Sequence, residues 1–253
     1  MVKNINNKVG LNIKLFDRIG DDLGTKLKSL TKKKDIIVLG KNIINVILEK
    51  KVDIEAIEKI EKIEFKLNKK EMFLMEIYKY GEEVLKSYKR LNLTIKLMNG
   101  DTRNNNFKKH DLLDYYLENF INETYIFTDR IFRIFILIEK KAEKLKLTNQ
   151  YKTLVILRKF YFEFVNNIRD LRNFHTHQIR FKDVKTNRLG AIEHFNELVK
   201  ERWLKGYTEL IYSKTKRNCI NALKKNLSAL SNNTETILIP VNKILYKNIL
   251  PKI

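Results

Sequence analysis

The run Arg169-Asp170-Leu171-Arg172-Asn173-Phe174-His175-Thr176-His177 holds two of the chain's 4 histidines. An imidazole titrates near neutral pH and can take or give a proton. A guanidinium stays charged and offers a planar fork to phosphate oxygens. Together these groups suit phosphodiester chemistry. In RNA the neighbouring 2′-hydroxyl is the ready nucleophile, so no metal is required. Charge builds on the phosphoryl oxygens in the transition state, where a fixed Arg helps most.

The pattern leading into this run predicts a helix. At about 100° per residue, an apolar stripe runs through Leu157, Tyr161, Phe164, Ile168 and Leu171, and its next step lands on His175. His175 therefore reads as a packed continuation of the seam. A polar line runs through Asn166, Asp170, Asn173 and His177, with Arg169, Arg172 and Thr176 beside it. Asn173 and His177 are four apart and can touch. Arg172 and His177 are five apart, about 140° around an ideal helix. Three arrangements would bring them together: a long reach by the Arg, a helix that ends near His175, or a second copy of the run across a dimer interface. Arg169 and His175 form a competing Arg–His pair, and the off-stripe position of His177 favours Arg172 with His177.

Other enzyme signatures are missing. The sequence has no GxGxxG, Walker loop, HExxH, GxSxG or CxxC, and neither a metal site nor a cofactor is expected. Its single Cys, Cys219, can form no intramolecular disulfide and no Cys-rich zinc site. That usage, with no apolar signal-peptide core in MVKNINNKVGLNIKLF, points to a reducing, cytoplasmic setting. The most apolar stretch, Ile131 to Ile138, is interrupted by Arg133 and is too short to span a bilayer. No membrane partner is expected.

The run resembles the Arg-x4–6-His motif of the HEPN superfamily (higher eukaryotes and prokaryotes nucleotide-binding), in which a polar residue commonly follows the Arg. Arg172-Asn173-Phe174-His175-Thr176-His177 fits that pattern, and the resemblance covers about residues 70–215. It implies an all-α bundle that dimerises and juxtaposes two motifs as a metal-independent endoribonuclease, leaving a 2′,3′-cyclic phosphate. It further implies a toxin or antiphage role, with an antitoxin or defence-system partner protein. Arg172 would stabilise the transition state, His177 would act as general acid or base, and Asn173 would orient His177 or the phosphate. His175 and Arg169 are supporting candidates. The family also holds non-catalytic members, so a helical RNA- or partner-binding module is the alternative.

Asp129, Arg130 and Arg133 lie on a long aromatic helix expected to pack on the motif helix. An acid there could orient His177 or Arg172, or the group could be a structural ion pair. Arg180 and Lys182 follow the motif as candidate phosphate contacts. His110 reads as a surface or cap residue, and His194 and Trp203 as part of helical packing.

The elements that must position these groups are helical. Of 253 residues, 43% are hydrophobic, enough for a real core, and 8 Gly with 2 Pro are too few for a Greek-key sandwich. Helices are expected from Asp35, from Asp53, over about Lys70–Leu91, over Asp111–Lys146 and over Tyr151–His175. Residues 181–190 read as a loop, followed by helices over Ala191–Ser213 and Lys216–Leu230. Ser231–Thr234 reads as a break, Glu235–Ile239 as a short strand or extended tail, and Pro240 as its stop. The short joint before Tyr151 makes its two helices antiparallel neighbours. The architecture expected is all-α, a bundle over 70–230 with an extension (1–69) packed on it and a tail (231–253). Lys+Arg total 51 against 30 Asp+Glu, a net charge of +21. That balance points to a polyanionic partner, RNA first, although a Lys-, Asn- and Ile-dense composition also arises from AT-rich coding. No tight helix-turn-helix spacing supports sequence-specific DNA recognition.

Overall fold

The computed structural model describes residues 14–31, 68–100, 108–177 and 184–253, with side chains described at 15–23, 68–100, 108–166 and 184–253. The helices expected from Asp35 and Asp53 and the polar break at 101–106 lie outside these residues. Six α-helices make up the described chain: α1 (Lys14–Thr31), α2 (Lys69–Asn99), α3 (Lys109–Lys144), α4 (Thr148–His177), α5 (Val184–Val199) and α6 (Arg202–Ile244). A π-helical turn (Leu245–Ile249) and a 3-10 turn (Leu250–Lys252) close the chain. The fold is an all-α helical bundle, with no strand among the described residues.

Local sequence sets the ends. Asn68 and Glu71 form a reciprocal capping box at the start of α2: the Glu71 N–H donates to Asn68 Oδ1 at 2.8 Å, and the Asn68 N–H donates to Glu71 Oε2 at 2.9 Å. α3 stops at Lys146, whose φ of 56° turns the backbone left-handed, and the Leu147 N–H returns to the Ala142 carbonyl at 2.9 Å. α4 starts at the next residue, so α3 and α4 form the antiparallel pair that the short joint predicts. Their register is marked by Glu139 with Arg158 and by Phe132 with Tyr161.

α3 is the centre of the bundle. Phe127, Ile131, Ile134, Phe135 and Ile138 on this helix are all 0% exposed. α2, α4, α5 and α6 all pack on α3, and α1 packs on α2 and α6. Leu15, Phe16, Ile19 and Leu23 of α1 are buried. Its Arg18 guanidinium lies 3.6 Å from the centre of the Tyr246 ring, and the Tyr246 hydroxyl donates to Asp22 at 2.8 Å.

The C-terminal third departs from expectation in three places. Residues 184–190, read as loop, are the first turns of α5, and Gly190 lies inside the helix. The break expected near 214–215 falls instead at Lys200, whose φ is 56°. Residues 231–239, read as a break and a strand, continue α6, which also passes through Pro240. The reason is burial. Ser231 and Thr234 are small enough to face the core, and Thr234 sits 3.4 Å from the buried Tyr161 hydroxyl. A proline inside a helix costs about 3 kcal/mol, and the residues beyond it offset that: Val241, Leu245 and Ile249 are fully buried. Cys219 is buried on the same helix.

Two glycines should respond oppositely to alanine. A Cβ at Gly81 would lie 2.7 Å from the buried Phe16 ring, whereas one at Gly206 would meet nothing within 4 Å. Gly81→Ala is expected to lose about 1–3 kcal/mol by forcing α1 off α2. Gly206→Ala is expected to gain about 0.5–1 kcal/mol of helix propensity. Urea unfolding midpoints check both signs.

Candidate functional site

α4 runs unbroken to His177. An end near His175, one of the three ways to unite Arg172 with His177, is therefore not adopted. The side chains of Arg169, Arg172, Asn173, His175 and His177 lie outside the described residues, as do Arg180 and Lys182 entirely. The register of the helix leading to them is defined. Its buried seam runs through Leu154, Tyr161 and Val165, while Leu157 is only partly buried and Phe164 is 37% exposed. Over the described side chains the expected stripe is buried at Tyr161 but not at Phe164, where the neighbouring Val165 is buried instead.

Asp129 is placed by α3. It accepts from Arg130 Nη1 at 2.9 Å and from Arg133 Nε at 2.9 Å, and Arg130 also pairs with Glu83 of α2. The group ties α3 to α2. The hydrogen bond and charge of Asp129 push the Arg133 guanidinium pKa further up. The acid that α3 does turn toward α4 is Glu139, 6% exposed and bonded by Arg158 Nε at 2.7 Å.

A second polar cluster, not anticipated from sequence, gathers at the N-terminus of α3. Glu193 of α5 accepts the Lys109 N–H at 3.1 Å and the His110 N–H at 3.2 Å, and lies 2.6 Å from His110 Nδ1. A carboxylate from another helix thus satisfies two N–H groups that a helix start leaves unpaired and meets the positive end of the helix dipole. His110 is therefore more than a surface cap. Its Nε2 is 3.3 Å from Asp111. A Cβ at Gly190 would come within 2.9 Å of the His110 ring, so the glycine is needed for close approach rather than for a turn. One turn on, the hydroxyl of the fully buried Thr186 donates to Asp114. Lys108 pairs with Glu197 at 3.1 Å, and Lys109 pairs with Glu209. Burial pushes the Asp114 carboxyl up from its ordinary value, and the Thr186 hydrogen bond only partly opposes it.

This cluster holds α5 on α3. His110 has an oriented imidazole, but the neighbouring Lys108 and Lys109 are held in ion pairs, and its outer nitrogen is already beside Asp111. No group of three or more His, Cys, Asp or Glu that could hold a metal occurs among the described residues. A cavity of about 350 Å³ opens between α3, α4 and α6, lined by Leu117, Phe120, Phe164, Leu223 and Leu230 among others. Its wall is apolar except for Thr124 and Asn226. It can take a hydrocarbon group but has no cation for a phosphate.

No family model, curated protein or solved structure matches this chain. Function must therefore be argued from the residues themselves. His194 and Trp203, assigned to helical packing from sequence, are solvent-facing, at 69% for the His194 side chain and 65% for Trp203. No helix among the described residues is long and apolar enough to cross a membrane.

Two substitutions probe the joint. The raised Asp114 pKa means that the folded chain holds the protonated acid better than the unfolded chain does. Ionisation therefore subtracts from stability at neutral pH, and the loss is relieved as pH falls through the folded value. Asp114→Asn keeps an oxygen for Thr186. It should be as stable as wild type or more stable at pH 7, with the difference vanishing on acidification, as read by urea midpoints across pH. Gly190→Ala should push His110 away from Glu193 and lower stability by about 1–3 kcal/mol, measured the same way.

Proposed function

We propose that this chain is a metal-independent endoribonuclease of the HEPN type, acting in a toxin–antitoxin or antiphage setting. The observation that carries the proposal is the run Arg172-Asn173-Phe174-His175-Thr176-His177, which occupies the last turns of a 30-residue helix in an all-α bundle. The net charge of +21 favours a polyanionic substrate.

In the reaction proposed, the RNA 2′-oxygen attacks the adjacent phosphorus while a general base takes its proton. The P–O5′ bond breaks, and a general acid returns a proton to the departing 5′-oxygen. The products are a 2′,3′-cyclic phosphate and a 5′-hydroxyl. His177 fills an acid or base role, Arg172 neutralises charge on the phosphoryl oxygens, and Asn173 orients His177 or the phosphate. Because the helix continues through His177, positions 172 and 177 diverge by about 140° within one chain. A homodimer that brings two helix ends together supplies the convergence that one chain lacks.

The alternative is a non-catalytic helical binding module. The net charge of +21 supports this reading as well, since a basic surface binds a polyanion without cleaving it.

The test is incubation of purified protein with mixed cellular RNA in EDTA. Wild type is expected to leave cyclic-phosphate ends, and His177→Ala is expected to lose at least about 100-fold in rate with an unchanged melting curve. Cutting by His177→Ala at the wild-type rate would remove His177 from the mechanism. Salt-sensitive binding with intact RNA, together with unfolding of Arg172→Ala, would establish the binding module instead.

A further inference from the structure

The contact of the α5–α6 hairpin with α3 mixes polar and apolar groups: Thr186, Leu189, Leu204 and Thr208 are buried, Glu193 is bound by His110, and the half-exposed Glu197 and Glu209 pair with Lys108 and Lys109 at the edge. The hairpin's outward side carries a cluster of apolar side chains. Phe195 is 52% exposed, Leu198 69%, Trp203 65% and Leu210 65%, with Val199 and Tyr207 also exposed. On α6, Trp203, Tyr207 and Leu210 recur at i, i+4 and i+7, one stripe of a helix. Six large apolar side chains within sixteen residues make a patch of the kind that marks an interaction surface.

The charge beside this patch identifies what it meets. Lys200, Arg202 and Lys205 are exposed at and just after the turn, with Glu201 as the acid among them. Of the other acids near the turn, Glu193, Glu197 and Glu209 pair with His110, Lys108 and Lys109 at the start of α3. An apolar tip flanked by cations, on a chain of net charge +21, complements a surface that is anionic outside and hydrocarbon within.

We propose that the α5–α6 hairpin docks peripherally on an anionic lipid surface. Leu198, Val199 and Leu210 enter the acyl boundary. Trp203 and Tyr207 lie at headgroup depth, where amphipathic rings are favoured. Lys200, Arg202 and Lys205 meet the phosphates. RNA would also attract the cations and could stack on the rings, but it has no use for three exposed aliphatic side chains, whereas hydrocarbon does. A second copy of the chain seated on this patch would place Lys200, Arg202 and Lys205 of each copy near those of the other with only Glu201 among them, and sedimentation velocity distinguishes that outcome. No membrane partner is expected from the sequence because its most apolar stretch, Ile131 to Ile138, is too short to span a bilayer; peripheral docking needs no span. The proposal is independent of the nuclease reading, since docking requires none of the residues of the Arg172–His177 run.

Trp203 is the sole tryptophan of the sequence, so its fluorescence reports this site directly. Full-length protein would be mixed with vesicles of phosphatidylcholine alone, vesicles containing about 30% phosphatidylserine, and single-stranded RNA. Anionic vesicles should sediment the protein and shift Trp203 emission to the blue, neutral vesicles should do neither, and high salt should weaken the binding. The exposed-site double variant Leu198→Ser/Leu210→Ser should keep its circular dichroism and melting curve while binding at least about tenfold more weakly. Wild-type affinity in a folded double variant would overturn the proposal. So would the absence of a blue shift with anionic vesicles, a shift produced by RNA alone, or a dimer in sedimentation velocity that the double variant abolishes. RNA cleavage in EDTA is scored separately, so loss of either activity leaves the other readable.

Discussion

Burial of α3 on several sides is the constraint from which the rest follows. Ile134 and Phe135 are consecutive and both fully buried, as are Ile131 and Ile138 on either side of them. Neighbouring positions point about 100° apart, so a helix that buries both needs partners on more than one flank. α2, α4 and α6 supply them. In such a core, each polar group needs a local answer. The Thr124 hydroxyl donates to the Phe120 carbonyl at 2.8 Å, that of Thr128 donates to the Tyr125 carbonyl at 2.9 Å, and Glu139 is held by Arg158. Chemistry that needs solvent and substrate is displaced toward the ends of the rods. The Arg172–His177 run lies at one such end, and the His110–Glu193 joint closes another.

The all-α class and the long helices were legible because their apolar residues recur at helical spacing and are mostly in the core. Phe73, Ile77, Val84, Tyr88 and Leu91 show this on α2, and Leu113 through Ile138 show it on α3. Reading failed where side-chain polarity and burial diverge. Ser231 and Thr234 look like turn residues, yet both are core-facing. Gly190 looks like a loop end, yet it admits an imidazole. The left-handed turn at Lys200 carries no Gly or Asn to announce it, since the residue that adopts it is a lysine. On α4 the expected stripe includes Phe164, which is partly exposed, while the less bulky Val165 beside it is buried. The candidate site was legible as a motif, while its convergence depends on atoms that no one-dimensional spacing specifies.

The α5–α6 hairpin shows why hydrophobicity alone misleads. Leu198 and Leu210 have the residue type of core positions, but the hairpin buries Thr186, Leu189, Leu204 and Thr208 instead and adds ion pairs to the start of α3. Attachment through so few apolar groups leaves Leu198 and Leu210 facing outward.

Cys219 carries a practical consequence. It is the chain's only thiol and is 8% exposed, on the helix that runs past α3 and ends beneath α1. An alkylating reagent reaches a buried sulfur only in moments when the surrounding side chains part. The unmodified protein therefore contains its own single-site clock: the rate of covalent labelling counts excursions of the longest helix away from its neighbours, with no engineered probe and no second site to confuse the signal.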